Sequence, residues 1–270
     1  VTRMMIHYHT YYLDQNKRSI DQWDFNVNNL IKLIGDYDHN LIASDLVKIL
    51  NSYTNKTVVD VGCRDGFYSF LFEKLGNKVC SVDIDNTKAR QYVHNFLNST
   101  TTFIHDNIYN IINWSDIKFD IVFVGDLLVH LENPLGAMRI LHTICKERLL
   151  IMTDFYNESD DYTDINNHFH YNTDIIGNGR IGLGHINLPW LFSKTAFNTM
   201  LRMSGFDEIK ILNEFKLQSV NCKSIPDQKP FVRNIMLVEA IPCKTNMHDH
   251  NIQGFKINPF FTSLYPKFVC

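Results

Sequence analysis

The fold of this chain is decided by one stretch, Val58-Val59-Asp60-Val61-Gly62-Cys63-Arg64-Asp65-Gly66-Phe67-Tyr68. In it an apolar strand runs into a short turn with a glycine at each end, and helical spacing follows directly. A strand-turn-helix unit of this kind presents backbone N–H groups and a helix N-terminus at the carboxyl edge of a sheet. The stretch therefore predicts an α/β protein that binds a nucleotide-like ligand at that edge.

A second acidic side chain follows the next apolar run. That run ends Ser81-Val82-Asp83, which places Asp83 23 positions after Asp60. An acidic side chain reaches a ribose at about this interval, roughly 20 residues, in nucleotide-binding α/β folds. A carboxylate can accept hydrogen bonds from both hydroxyl groups of one ribose. Asp83 is therefore a candidate ribose ligand, with an ordinary strand-end aspartate as the alternative.

The turn departs from the dinucleotide fingerprint GxGxxG. Arg64 stands where the middle glycine would be, so a side chain crowds the place of a pyrophosphate. Asp60 would also repel a pyrophosphate, whereas it would attract a cationic amino-acid group. The turn thus favours a ligand that joins adenosine to a positively charged end. The alternatives are that Asp60 merely caps a turn and that the glycines belong to an ordinary α/β turn.

Short apolar runs alternate with amphipathic stretches between residues 57 and 154, which is typical of βα units and a parallel sheet. The pattern predicts a doubly wound sheet, followed by a helix that Gly205 closes and by two more strands. The predicted strands are 57–61, 78–82, 102–105, 120–124, 149–153, 207–212 and 234–240, and the predicted helices are 68–75, 87–97, 134–145 and 193–204.

Three segments lie outside this core pattern. Residues 26–34 and 40–50 carry Leu, Ile and Val at helical spacing and predict a helical cap beside the sheet. Residues 155–189 are rich in Asn, Asp, Gly and aromatic side chains and predict a long functional loop. We therefore divide the chain into N-terminal cap helices (1–54), a Rossmann-like domain (55–242) with a substrate loop at about 155–190, and a C-terminal tail (243–270).

The composition fits one folded domain with extensions in a chain of 270 residues. Hydrophobic residues make up 45% and charged residues 20%, which excludes disorder over most of the chain. The net charge is −3 and no long run of Lys or Arg occurs, so a nucleic-acid surface is not indicated. Six scattered cysteines without a CxxC pair, and no apolar stretch of membrane-spanning length, predict a soluble cytoplasmic protein without a membrane partner.

A ligand that joins adenosine to a cation is S-adenosylmethionine, and the chain resembles the class I S-adenosylmethionine-dependent methyltransferases. The resemblance spans about residues 57–240. Within the class, the chain is most similar to the branch of tRNA wobble-uridine carboxymethyltransferases and their small-molecule relatives, through Gly66-Phe67-Tyr68-Ser69-Phe70 and His130-Leu131-x-x-Pro134. The motifs that carry the class resemblance are the glycine turn at 60–66, Val82-Asp83-Ile84-Asp85, His105-Asp106-Asn107-Ile108 and the run at 119–135.

The resemblance implies a Rossmann-like methyltransferase fold over residues 55–242, with S-adenosylmethionine as cofactor and S-adenosylhomocysteine as product. It also implies a contact for each part of the cofactor. These contacts are Asp60, Gly62, Cys63, Arg64 and Gly66 for the methionine part, Asp83 for the ribose, Ile84, Asp106, Asn107 and Ile108 for adenine, and Gly125 and Asp126 near the sulfonium.

Asp126, His130 and Asp154 are the candidates for a general base. Methyl transfer is an in-line displacement at an activated carbon, so a base is needed only where the acceptor carries a proton. His130 follows the fourth strand, close to the place of methyl delivery, and as the alternative it fixes the helix start at Asn133-Pro134. Arg64 and the lack of an obvious base also allow a non-catalytic relative that binds the cofactor or regulates a partner.

The acidic balance and the composition of the loop favour a small polar acceptor, namely a metabolite, a sugar or an amine. The resemblance implies tRNA as the alternative, and the sequence leaves the oligomeric state open. Phe155 and Tyr171 either line an acceptor pocket or pin the loop. No metal site is predicted, because the pairs His7-x-His9, His168-x-His170 and His248-x-His250 lack a third ligand at suitable spacing.

Overall fold

The computed structural model describes residues 2–3, 12–13, 47–114, 117–156, 170–171, 190–218 and 232–243. Residues 47–50 are helical, and two 3₁₀ helices span Ile108–Asn113 and Leu128–His130. The longer helices are α1 (Phe67–Lys74), α2 (Lys88–Leu97), α3 (Pro134–Ile144) and α4 (Lys194–Met203). The strands are β1 (Thr2–Arg3), β2 (Tyr12–Leu13), β3 (Thr57–Val61), β4 (Lys78–Asp83), β5 (Thr102–His105), β6 (Phe119–Gly125), β7 (Cys145–Tyr156), β8 (His170–Tyr171), β9 (Trp190–Ser193), β10 (Lys210–Gln218) and β11 (Val232–Ala240).

One large sheet follows the order β10-β11-β7-β6-β3-β4-β5, with β8 and β9 beside the end of β7. Strands β3 to β7 are parallel to one another, whereas β11 pairs antiparallel with both β7 and β10. The chain winds outward from β3 through β4 to β5 and then returns to place β6 on the other side of β3. This confirms the predicted doubly wound sheet and puts a topological switch point between β3 and β6, where such folds bind ligands.

Helices cover both faces of the sheet. On one face α3 and α4 pack against Val59 and Val61, and on the other face α1 packs with Val58 and Phe123. Each of these four strand side chains is 1% exposed or less, since the central strands are apolar on both faces. Burial of each such side chain contributes about 1.5–3 kcal/mol before conformational entropy is counted.

The helix boundaries follow from capping residues in the sequence. The side chain of Asn133 accepts a hydrogen bond from the N–H of Gly136 at 2.8 Å, and Pro134 occupies the first position of α3. Ser193 caps α4 in the same way through the N–H of Ala196 at 3.1 Å. Gly205, with φ of 93°, follows the end of α4, which confirms the predicted glycine stop.

Two strand boundaries were predicted wrongly. β7 covers 145–156 rather than 149–153, and β10 covers 210–218 rather than 207–212. Both extensions carry charged side chains, which hide the apolar signal, and pairing with neighbouring strands sets their length instead. Within the predicted loop at about 155–190, Phe155 belongs to β7 and the pair His170–Tyr171 forms β8, and the role of the loop in binding substrate stays a prediction.

Several predictions fall on residues outside the described part of the chain. They are the cap helix at 26–34, most of the one at 40–50, most of the substrate loop and nearly all of the tail at 243–270. In the same N-terminal region, β1 and β2 pair with each other as a two-stranded sheet. Among the helices that the structure describes, none has both the length and the apolar character needed to cross a membrane.

Candidate functional site

A pocket opens at the carboxyl edge of the sheet, beside the switch point. Its space is about 360 Å³ including the part that is open to solvent. The pocket is apolar except for two carboxylates and one amide. It is lined by Val61, Gly62, Val82, Asp83, Ile84, Asp106, Asn107, Ile108, Leu127 and Leu131.

The glycine turn between β3 and α1 forms one side of the pocket. Gly62 has φ of 80°, and a Cβ at this position would lie 3.0 Å from the Cβ and Cδ2 atoms of Leu127. Both conformation and space therefore disfavour a side chain at position 62. The N–H groups of Gly62 and Cys63 donate to the carbonyl of Val82 at 2.8 and 3.3 Å, so these two donors serve the sheet rather than a ligand.

Arg64, at the middle of the turn, takes the left-handed conformation with φ of 47°. Its N–H donates to Oδ2 of Asp83 at 2.7 Å, and its guanidinium forms an ion pair with Asp85. The N–H of Asp85 donates to Oδ1 of Asp83 at 2.8 Å. Each oxygen of Asp83 thus accepts one backbone hydrogen bond and has a further lone pair for a ligand hydroxyl in the pocket.

Asp60 lies beneath the turn rather than in the pocket wall. It is 1% exposed, and its Oδ2 accepts a hydrogen bond of 2.5 Å from the hydroxyl of Ser69, which in turn accepts one of 2.8 Å from Ser81. Burial raises the pKa of Asp60 to about 7, and the nearby carboxylate of Asp83 adds to the increase. Asp60 is therefore a buried acid that can change its charge near neutral pH.

The far side of the pocket is built after β4 and β5. Ile84 is 62% exposed and lines the pocket, so its side chain offers open apolar surface to a ligand there. The Nε2 atom of His105 bonds the carbonyl oxygen of Ile84 at 2.5 Å. Oδ1 of Asp106 accepts hydrogen bonds from the N–H of Asn107 at 2.7 Å and from Nδ2 of Asn110 at 2.6 Å. These bonds hold the Asp106 carboxylate at the rim.

The candidate bases lie near the ends of β6 and β7 and just beyond them. Asp126 follows Gly125 with φ of 58°, and its N–H donates to the carbonyl of Met152 at 2.9 Å. Asp154 is 4% exposed near the end of β7, the strand that neighbours β6. His130 is exposed in a 3₁₀ helix, and it is Asn133 whose side chain caps α3.

The predicted cofactor residues thus fall into two groups. Gly62, Asp83, Ile84, Asp106, Asn107 and Ile108 line the pocket together. The others lie behind or beside it. These are Asp60, Cys63, Arg64, Gly66, Gly125 and Asp126.

Sequence reasoning missed four pocket residues, Val61, Val82, Leu127 and Leu131. The two valines are the last apolar residues of their strands, a signal that the sequence does contain. Leu127 and Leu131 follow β6 four residues apart, and the indole N–H of Trp190 donates to the carbonyl of Leu131 at 2.6 Å. Nothing local in the sequence links Trp190 to that carbonyl, 59 residues away.

Tyr68 of α1 is a further residue near the site that the sequence did not single out. It is 7% exposed, and its ring lies 5.0 Å from that of Phe123. Burial raises the pKa of Tyr68 well above 10, and the charges of Asp126 and Asp60 raise it further. Its hydroxyl is therefore a neutral group that feels the charges of two acids of the site.

Two other predictions concern metal ions and the aromatic loop. Within the described residues, no group of three His, Cys, Asp or Glu side chains is placed to hold a metal ion. Of the six paired histidines only His170 lies in that part, in β8. Phe155 is 4% exposed in the core, with the ammonium of Lys194 4.8 Å from its ring centre, so Phe155 pins the structure rather than lining an open pocket.

A comparison with protein families gives one match. The family model described as a methyltransferase domain matches residues 36–211. That range contains the glycine turn, every residue of the pocket wall and the three candidate bases.

Similar proteins are known from curated sequences and from solved structures. The tRNA U34 carboxymethyltransferase of Helicobacter pylori is 28% identical over 130 residues, which cover 46% of this chain and 49% of that protein. The chain therefore spans about half the length of this relative. The YcgJ protein of Bacillus subtilis superposes with a TM-score of 0.62 at 12% identity, covering 77% of this chain and 100% of that one.

A second solved structure is similar in fold. Magnesium protoporphyrin IX methyltransferase from Synechocystis, solved with bound S-adenosylhomocysteine, superposes with a TM-score of 0.51 at 18% identity. The match covers 76% of this chain and 83% of the other. At such identities the two structures establish that the fold is shared.

Proposed function

The chain belongs to the methyltransferase domain family, and from this premise we propose that it transfers a methyl group from S-adenosylmethionine to a small polar acceptor. The acceptor class is a metabolite, a sugar or an amine. One observation carries the cofactor assignment: the pocket at the switch point combines two carboxylates, Asp83 and Asp106, with apolar walls. Adenosine is complementary to this combination, because it has flat apolar ring faces and carries hydrogen-bond donors on the ribose and on the adenine amino group.

The pocket residues fit the adenosine part of the cofactor. Asp83 would accept hydrogen bonds from the ribose hydroxyls through its remaining lone pairs, and Asp106 would accept one from the adenine amino group. Ile84 on one wall and Leu131 on another offer apolar surface to the ring. Covering the exposed side chain of Ile84 would add a hydrophobic contribution to binding.

Asp60 fits the cationic end of the cofactor. A positive group near a buried carboxyl favours its ionised form and lowers its raised pKa. We therefore expect the protein to release a proton from Asp60 when the cofactor binds near pH 7. Ser69 and Ser81 form a chain of hydrogen bonds that stabilises the resulting carboxylate.

When bound, S-adenosylmethionine supplies a methyl group that is already activated toward a nucleophile. The protein's own contribution is to orient the acceptor and to exclude water. Leu127 and Leu131 keep the adjacent wall apolar, and Trp190 fixes the backbone of Leu131. Asp126 and Asp154, near the ends of neighbouring strands, are the better placed of the candidate bases for an acceptor that carries a proton.

Calorimetric titration of the purified protein with S-adenosylmethionine and S-adenosylhomocysteine tests the cofactor assignment, with NAD as the competing ligand. We expect binding of both sulfur compounds at micromolar concentrations and none of NAD. Asp83→Asn keeps one acceptor oxygen and the shape of the side chain, and should weaken binding about tenfold or more. Asp207→Ala changes an exposed aspartate elsewhere and should leave binding unchanged. Binding of NAD alone would overturn the proposal.

A screen of amines, sugars and small metabolites as acceptors tests the second half of the proposal. Transfer of labelled methyl to one class, lost in Asp83→Asn, is the expected result. Methyl transfer to none of these classes, with transfer to tRNA instead, would contradict the small acceptor.

tRNA is the second candidate acceptor, and the names of the curated relatives favour it. A net charge of −3 gives the chain no general attraction to phosphates. Binding to total tRNA at low salt, with an affinity that falls steeply as salt is added, would support this alternative. Absence of binding at low salt would argue against it.

A further inference from the structure

A buried arginine of α2 holds the glycine turn from inside the protein. Arg90 is 2% exposed. Its Nη1 atom donates to the carbonyl oxygen of Arg64 at 2.9 Å and contacts Sγ of Cys63 at 3.4 Å. The guanidinium also lies 4.8 Å from the ring centre of Phe103. The buried guanidinium of Arg90 therefore contacts two consecutive residues of the turn, Cys63 and Arg64.

The turn needs such support because Arg64 is not a glycine. Its left-handed conformation, with φ of 47°, costs free energy for any residue with a Cβ. Three parts of Arg64 are each held separately: the N–H by Asp83, the side chain by Asp85 and the carbonyl by Arg90. Among these partners Arg90 is the most deeply buried, with 2% of its surface exposed against 9% for Asp83, so its hydrogen bond is shielded from water and correspondingly strong.

Phe103 extends this support to the other end of the turn. A Cβ at Gly66 would lie 3.2 Å from Cζ of Phe103 and 2.9 Å from Cε2 of Phe70. The Phe103 ring lies against the Arg90 guanidinium and therefore also packs next to Gly66. Arg90 and Phe103 together contact residues 63, 64 and 66 of the five-residue turn.

We propose that Arg90 is a positioning residue for the cofactor pocket. By fixing the carbonyl of Arg64, it keeps the N–H of the same residue on Asp83 and so keeps the Asp83 carboxylate facing the pocket. Arg90 itself lies outside the pocket wall. The inference that Arg90 supports cofactor binding rests on the proposed function, whereas the inference that Arg90 holds the turn does not.

Thiol labelling measures the position of the turn without any cofactor. Cys63 and Cys145 are 7% and 5% exposed, so the two thiols are similarly protected, and only Cys63 touches Arg90. Arg90→Met keeps an unbranched apolar side chain and removes the hydrogen bonds. We expect alkylation of Cys63 to become about tenfold faster in Arg90→Met, with the rate at Cys145 unchanged. Mass spectrometry of the digested protein reports both thiols in one sample.

Arg148→Met is the matched control. Arg148 also lies over an aromatic ring, 4.9 Å from the centre of Tyr53, and forms an ion pair with Glu239 on another part of the sheet. We expect Arg148→Met to leave labelling of Cys63 as in the wild type. Equal acceleration at Cys63 and Cys145 in Arg90→Met would overturn the proposal, since it would indicate a general loss of stability. Arg90→Lys, which keeps the charge and one donor, provides a milder variant should Arg90→Met not fold.

Calorimetry with S-adenosylhomocysteine links the turn to the pocket. We expect the dissociation constant to rise about tenfold in Arg90→Met, less in Arg90→Lys and not in Arg148→Met. Wild-type affinity in a folded Arg90→Met would overturn the positioning role. If the wild type itself binds neither sulfur compound, the proposed function fails, while the labelling experiment still decides whether Arg90 holds the turn.

Discussion

The Ser69 hydroxyl donates a 2.5 Å hydrogen bond to Oδ2 of Asp60, and both side chains are almost completely shielded from solvent. Burial nevertheless raises the pKa of Asp60 from 3.8 to about 7, and the nearby carboxylate of Asp83 adds to the increase. Between these two values the folded protein holds a proton that the unfolded chain has already released. The stability that this proton provides is complete below about pH 4 and is lost as the pH rises toward 7.

This linkage predicts the behaviour of Asp60→Asn. Asparagine keeps an acceptor for Ser69 and cannot ionise, so the variant should be more stable than the wild type at pH 8, by roughly 4 kcal/mol, and close to it at pH 4. Urea unfolding of the cofactor-free protein at both pH values measures the difference. The same difference at both pH values would show that Asp60 does not titrate in this range.

The contact between Gly62 and Leu127 predicts a cost for Gly62→Ala beyond that of backbone strain. Gly76 is the control, since its φ of 83° is close to the 80° of Gly62 and a Cβ there would meet nothing within 4 Å. Gly76→Ala should cost about 1 kcal/mol of stability from its left-handed backbone. Gly62→Ala should cost roughly 2–4 kcal/mol and weaken cofactor binding, because overpacking displaces the wall residue Leu127. Denaturant unfolding and calorimetry measure the two effects.

The steric part of this cost can be separated by a second change. In a Leu127→Ala background, adding Gly62→Ala should cost little more than Gly76→Ala does. A penalty that stays as large as in the wild-type background would mean that another contact is responsible.

Because Trp190 donates a hydrogen bond to the Leu131 carbonyl, we predict that Trp190→Phe lowers both stability and cofactor affinity. Phenylalanine keeps one six-membered ring but lacks the indole N–H donor, so stability should fall by about 1 kcal/mol or more and affinity for S-adenosylhomocysteine by about threefold. Trp114→Phe serves as the comparison for the change in side-chain size, because Trp114 is also partly buried and neither tryptophan lines the pocket itself. Equal cofactor affinity in Trp190→Phe and the wild type would show that the hydrogen bond from Trp190 does not hold Leu131 in the position that cofactor binding requires.

The candidate bases predict a specific kinetic pattern. For an acceptor that carries a proton, Asp126→Asn, Asp154→Asn or His130→Gln should lower turnover about tenfold or more while the cofactor dissociation constant stays constant. The residue with that pattern is the base. Unchanged turnover in all three variants would eliminate base catalysis by these side chains.

Much of the fold was predictable because the central strands are apolar on both faces. The valines of β3 and the apolar run of β6 identify buried strands without any knowledge of their neighbours. β10 was misplaced because its sequence, KILNEFKLQ, alternates irregularly with charged residues and depends on pairing with β11. Strand pairing is a contact across the sheet, and a single sequence does not show it.

The site divides in the same way. Asp83 and Asp106 follow strand ends, where the topology alone brings side chains to one edge, and both line the pocket. The position of Asp60 behind the turn depends on which face of β3 meets α1. The left-handed backbone of Arg64 depends on Arg90, 26 residues further along the chain. The same holds for Leu131 and Trp190, whose contact forms only in the folded protein.

The pairing of β9 with the end of β7 has a consequence for the design of variants. The connections at 157–169 and 172–189 each begin and end on strands of one sheet, since β8 pairs with β9 and β9 with β7. Closing a longer connection between fixed ends costs only about 0.6 kcal/mol for each doubling of its length. We therefore expect segments of foreign sequence and different length to be tolerated between these strands, while the pocket at β3, β4 and β5 keeps its own supports.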